Sequence, residues 1–130
     1  MEAWLPLTHV RPKLLIVDDQ PTNIRVLHEL FREYCHVFMA TNGEQAINLC
    51  RTQLPDLILL DVVMEGVDGH EVCRRLKADP LTRAIPIIFI TAQQQDSDEV
   101  LGLELGAVDF ISKPINAVIV RARVRTHLTL

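Results

Sequence analysis

The chain has 130 residues and a mass of 14.7 kDa, with 48% apolar residues, 23% charged residues and a formal charge of −4. At that mass the scaling of folded surface gives ~7,000 Å² against ~21,000 Å² unfolded, enough burial for one core and too little for two ordinary domains. Such a composition excludes a disordered chain, a collagen-like sequence and a disulfide-dense miniprotein, and the mild acidic excess leaves no basic footprint for direct nucleic-acid binding.

Cys35, Cys50 and Cys73 are an odd number with apolar neighbours, which reads as reduced core thiols of a cytoplasmic protein. The opening MEAWLPLTHVRPK has no continuous apolar stretch of signal-peptide length, and no run approaches the ~18 residues needed to cross a bilayer. The expectation is an N-terminal tail over 1–12, one folded domain over 13–128 and no membrane partner.

In chain order, Leu14-Leu15-Ile16-Val17 is apolar without alternation, as suits a strand buried on both faces. After Pro21, which fits a first helical turn, Leu27, Leu30, Phe31 and Tyr34 fall on one helical face. His36–Ala40 is a weaker strand. Asn42-Gly43 then signals a turn and a cap before a helix carrying Ala46, Ile47 and Cys50. Leu57-Ile58-Leu59-Leu60 is a second strongly apolar strand. A stripe of Gly69, Val72, Cys73 and Leu76 follows it and stops at Asp79-Pro80. Ile85–Ile90 is a further buried strand, and the next helix is capped by Asp96 or Ser97, carries Val100, Leu103 and Leu105, and closes at Gly106. Val108–Ser112 alternates more and suits a sheet edge. Ile115, Val118, Ile119 and Ala122 predict the stripe of a last helix. Five strand–helix units in a row imply an α/β fold with a parallel sheet between helices.

Residues that end parallel strands share one rim, where ligands of such sheets bind. Asp18 and Asp19 end the first strand, Asp61 the third and Thr91 the fourth, while Lys113 follows the fifth. Three carboxylates in contact repel one another unless a cation or protons offset the charge. One lysine compensates in part, so a divalent ion is the natural partner. An all-oxygen donor set suits Mg²⁺, with Mn²⁺ as substitute, and argues against zinc. Carboxylate, metal, hydroxyl and ammonium together suit attack of an aspartate on phosphorus, with cations and donors holding the equatorial oxygens.

The motifs Leu15-Ile16-Val17-Asp18-Asp19, Asp61 followed by Val67-Asp68-Gly69, Ile90-Thr91-Ala92 and Gly106 through Lys113-Pro114 stand in order, each after a strand-like run. Together they resemble the receiver domain of bacterial two-component response regulators over residues 12–128. The resemblance implies a flavodoxin-like doubly wound sheet of five strands in the order 2-1-3-4-5 with five helices. It also implies a domain that takes a phosphoryl group for signalling and is not an enzyme on external substrates. Asp61 would accept the group from a sensor histidine kinase or a histidine phosphotransfer protein. Asp19, Asp61 and the backbone carbonyl of Val63 would ligate Mg²⁺, with Asp18 holding a metal-bound water. Lys113 would pair with Asp61 and then with a phosphoryl oxygen. Thr91 would swing toward that group and the ring of Phe110 would follow it. The family carries a cis peptide at the position of Lys113-Pro114, which proline allows at small cost.

Some residues depart from the commoner pattern. Glu65 stands where many relatives have proline, which predicts a more flexible loop, and Phe110 stands where tyrosine is commoner. Val63 and Gln93 occupy positions that tune water attack on the acyl phosphate, and the pair predicts slow to intermediate self-dephosphorylation. The fourth helix, fifth strand and fifth helix often form a dimer face in relatives, where Glu99, Glu104 and Asp109 would meet Arg121 and Arg125. Receivers with similar first and last helices are attached to cyclic-di-GMP turnover domains or histidine kinases, so a C-terminal output domain in a longer protein is expected.

Three rivals compete with this reading. An aspartyl phosphatase would carry a second acid two residues past its nucleophile, where this chain has Val63. A flavin carrier needs a Ser/Thr/Gly-rich phosphate loop after the first strand, and Asp19-Gln20-Pro21-Thr22-Asn23 is not one. A receiver-like interaction module regulating an output without phosphorylation remains the alternative, although every expected polar residue is present.

Overall fold

The five aliphatic runs pair as a single parallel sheet. In the computed structural model, which describes residues 11–92 and 96–128 and only the backbone over 96–99, the strands are β1 (Lys13–Val17), β2 (His36–Ala40), β3 (Leu57–Asp61), β4 (Ile87–Thr91) and β5 (Asp109–Ser112). Their spatial order is β2-β1-β3-β4-β5, with every neighbouring pair parallel. This is the doubly wound order expected from the sequence. β1, β3 and β4 are central and almost wholly buried, as continuous Leu and Ile runs require, while β5 lies at an edge.

Alternation along the strands splits the core into two layers. Leu15, Val17, Ile58, Leu60, Ile87 and Phe89 face one side, under helices α2 (Gly43–Gln53), α3 (Gly69–Ala78) and α4 (Asp96–Glu104). Leu14, Ile16, Leu57, Leu59, Ile88 and Ile90 face the other, under α1 (Pro21–Phe31) and α5 (Ala117–Leu128). One face carries three helices and the other two, so the crevice between them opens where β1 and β3 part, at the C-terminal ends of the strands.

Local chemistry fixes the first three helices. Pro21 sits in the first turn of α1. Asn42 accepts the Gln45 N–H at 2.8 Å to cap α2, and Asp68 accepts the Glu71 N–H at 2.9 Å to cap α3. α3 buries Gly69, Val72, Cys73 and Leu76 as its stripe predicts.

The later helices differ from their predicted stripes. α5 buries Val120 and Val124, whereas Val118 and Ile119 are exposed, the former by 73%. In α4, Gly102 is buried while Val100, Leu101 and Leu103 face solvent. Apolar residues surround both helices, so periodicity alone did not say which side meets the sheet. The expected caps Asp96 and Ser97 fall in the stretch whose side chains are not described. Residues 11 and 12, placed in the tail by sequence, are tied to the domain. Arg11 donates to the carbonyl oxygens of Arg32 and Cys35, and the Pro12 carbonyl accepts the His36 N–H at 2.8 Å.

Candidate functional site

The rim residues converge. Asp18 follows β1 directly, and one of its carboxylate oxygens accepts the Gln20 N–H at 2.8 Å in the turn that opens α1. Its backbone N–H donates to the Ala40 carbonyl, so β2 also fixes its position. Asp61 closes β3 with 3% exposure. Lys113 Nζ lies 3.3 Å from Asp61 Oδ1 and 3.4 Å from Asp18 Oδ2. The lysine is placed by β-pairing carried one residue past β5, its N–H donating to the Thr91 carbonyl at 2.9 Å. The peptide bond from Lys113 to Pro114 is cis, as expected.

Electrostatics in this hollow are unbalanced. Burial pushes the Asp61 carboxyl up to about 6, and the charge of Asp18 adds to the rise; the Lys113 ammonium and the Val63 N–H oppose it. Asp18, Asp19 and Asp61 each offer a carboxylate oxygen, and these oxygens lie within 4.8 Å of one another. One ammonium against three carboxylates leaves negative charge for a cation to offset. Hard oxygen donors at that separation fit Mg²⁺ and give zinc none of its preferred nitrogen or sulfur ligands.

α3 closes the site from behind. The Gly69 N–H donates to the Val62 carbonyl at 2.9 Å, and a Cβ on Gly69 would lie 2.2 Å from the Asp61 carbonyl oxygen. The helix therefore starts directly against the main chain of Asp61, a role that the sequence stripe had assigned only to packing. Between them the β3–α3 loop buries Val62 and Met64 and turns Val63 outward, 56% exposed; Glu65 is also exposed. Gly66 takes the left-handed turn at φ +77°.

Thr91 is buried at the end of β4, and Phe110 is half-buried on β5. Phe89 and Phe110 are partners in the β4–β5 register, with ring centroids 5.4 Å apart. Phe89 also meets His70 of α3 edge-on at 5.2 Å, a contact that no sequence pattern announced. Gln93 lies outside the described residues, as does the side chain of Glu99.

The charged residues grouped by sequence as a dimer face are divided. Asp109 is bonded within the chain to Arg123 at 2.6 Å and to His127 at 3.2 Å. Arg121 stands two residues from Arg123, or about 200° around the helix. It lies on the flank of α5 away from Arg123, and Arg125, four residues on, shares that flank. Arg123 is the α5 arginine that faces β5, and Glu104 is exposed at the end of α4.

Comparison with known proteins gives the family. The family profile described as the response regulator receiver domain matches residues 14–125. Response regulator PleD of Caulobacter vibrioides is 49% identical over 115 residues, which are 88% of this chain and 25% of that protein. A probable cyclic di-GMP phosphodiesterase of Vibrio cholerae is 41% identical over 115 residues, 88% of this chain and 26% of that one. The chain thus spans about a quarter of the length of these two relatives. Among solved structures, the signal receiver domain of a signal transduction histidine kinase from Syntrophus aciditrophicus superposes with a TM-score of 0.82 at 37% identity, covering 90% of this chain and 89% of that one. On profile, relatives and strand order alike, this chain belongs to the response regulator receiver domains of two-component signalling.

Proposed function

We propose that Asp61 is the phosphoacceptor of this receiver. A carboxylate oxygen of Asp61 attacks the phosphorus of a phosphohistidine on a sensor kinase or phosphotransfer protein. The new P–O bond forms as the P–N bond breaks, and the imidazole leaves with the bonding pair. Asp18, Asp19 and Asp61, with the Val63 backbone carbonyl, would hold Mg²⁺. The ion supplies the positive charge that lets an anionic donor approach three carboxylates. Lys113 then moves from its pair with Asp61 to a phosphoryl oxygen, and the Thr91 hydroxyl donates to another. The observation that carries this reading is the buried Asp61 carboxylate, 3.3 Å from an ammonium and beside two further acids.

A surface change follows through Phe110 to the helix α4, strand β5 and helix α5 face, which would be read by an output domain or by a second copy. The Vibrio relative, a probable cyclic di-GMP phosphodiesterase, makes cyclic-di-GMP turnover the favoured output class. A dimer on that face would involve Glu104, Asp109 and Arg123, with the Asp109–Arg123 pair opened or shared. Val63, turned outward, leaves no side-chain group to orient an attacking water, which supports slow to intermediate self-dephosphorylation. Gln93→Ala leaves that decay unchanged if Gln93 has no part in it. We place the domain in the cytoplasm, where three free cysteines stay reduced; burial is the main cause pushing the Cys35 and Cys73 thiols up to about 11 and the Cys50 thiol to about 12.

Intact-mass measurement after acetyl phosphate and Mg²⁺ tests the core of the proposal. The wild type gains one phosphoryl mass and Asp61→Asn gains none. A wild type that stays unmodified, or an Asn variant labelled equally, would favour the interaction module that acts without phosphate.

A further inference from the structure

Helix α4 carries, in its last turn, a residue that helix propensity disfavours. Glycine is the poorest helix former after proline, and Gly102 is the seventh of the nine residues of α4. Its lack of a side chain has a local reason. A Cβ at position 102 would lie 2.3 Å from Phe110 Cζ and 3.0 Å from both Phe89 Cδ2 and Cε2.

Those two rings differ in freedom. Phe89 is fully buried, with Phe110 on one side and the edge-on imidazole of His70 on another, so it has nowhere to retreat. Phe110 is half-buried and borders a cleft of about 690 Å³ shared with Leu103, Ile119 and Arg123. Any side chain at 102 must therefore evict the Phe110 ring toward that cleft or lift α4 from the sheet. Among the described side chains of α4, Val100, Leu101 and Leu103 are all exposed, so Gly102 is the point at which they leave the helix against the sheet. Phe89 and Thr91 lie two apart on β4 and so share a sheet face, which puts the rings next to the hydroxyl at the site.

We infer that Gly102 is a positioning residue for the switch: its bare Cα keeps the seat of the Phe110 ring against Phe89 and so couples where the ring sits to how α4 lies. The inference rests on the phosphorylation reading of Asp61 for its purpose, although the steric coupling itself does not need a phosphoryl group. A small shift of one ring is thereby converted into movement of the helix above it.

The test uses the whole chain labelled with 4-fluorophenylalanine, with the Phe110 resonance assigned by its loss in Phe110→Leu. Wild type, Gly102→Ala, Phe110→Leu and the double variant are compared with and without Mg²⁺ and beryllofluoride. In Gly102→Ala, the Phe110 resonance is displaced before beryllofluoride is added, and its response to beryllofluoride falls at least ~fivefold. Amide exchange in α4 quickens at least ~tenfold in Gly102→Ala, and in the Phe110→Leu background the same alanine produces no such rise. Acetyl phosphate still labels Gly102→Ala. If Gly102→Ala does not fold, recovery of the fold by Phe110→Leu is the same result.

A Phe110 resonance that matches the wild type in position and response would overturn the inference. So would faster exchange, or loss of folding, that persists in the double variant. Failure of acetyl phosphate to label the wild type instead removes the reading of Asp61, and the fluorine comparison without beryllofluoride still decides the steric part.

Discussion

Helices α3 and α4 cover the same face of the sheet and are held in opposite ways. α3 is capped by Asp68, buries four residues in one stripe and abuts the Asp61 main chain through Gly69. At its far end Lys77 Nζ donates to the carbonyls of Arg83 and Ile85 at 3.0 and 2.7 Å, and burial there lowers the lysine below its usual range. α4 turns Val100, Leu101 and Leu103 to solvent and rests on two rings through Gly102. The difference assigns labour within one layer. The helix beside the reacting carboxylate is fixed, which keeps the site preorganised. The helix over Phe110 turns its described large apolar side chains outward, and sparsely buried elements are the ones that respond at small cost.

Unfolding and titration experiments test that contrast. Leu76→Ala, in the buried stripe of α3, costs about 3 kcal/mol in denaturant unfolding. A loss below 1 kcal/mol would mean that α3 is no better anchored than α4.

The second measurement concerns Asp61 itself. Its carboxyl is raised from 3.8 to about 6, so the folded state binds more protons than the unfolded chain between those values. Stability of the metal-free protein then falls as pH rises from about 4 through 6, by up to about 3 kcal/mol, because a tenfold difference in proton affinity between the folded and unfolded states is worth about 1.4 kcal/mol. Asp61→Asn flattens that slope and stabilises the protein above pH 7. A slope that is unchanged in the variant would assign it to other groups.

Smaller still is the cap. Asp68→Ala costs about 1 kcal/mol by thermal unfolding, because the Glu71 N–H loses its acceptor. Last, Val118→Ala on the outer face of α5 changes stability by less than about 0.5 kcal/mol. A larger loss there would show that the exposed apolar face is already covered in solution.

Where one rule governed an element, the sequence was legible. Continuous Leu and Ile runs suited central strands, and Asn42 and Pro21 marked helix starts that the structure keeps. The site was legible for a related reason. Strand ends must share a rim, so Asp18, Asp19, Asp61, Thr91 and Lys113 were bound to meet once the strands were parallel. α5 was not legible. Val118, Ile119, Val120 and Val124 surround it, and several stripes satisfied the same helical period.

Strand–helix order, the aspartate rim and family membership were readable along the chain, because they depend on short runs and on chain direction. Packing in three dimensions settled which side of α5 meets the sheet, that Asp109 directs its charge to Arg123 and His127, and that Gly102 and Gly69 are spaces left for neighbours. Those outcomes depend on atoms distant in sequence competing for one volume, and no local pattern encodes which of them wins.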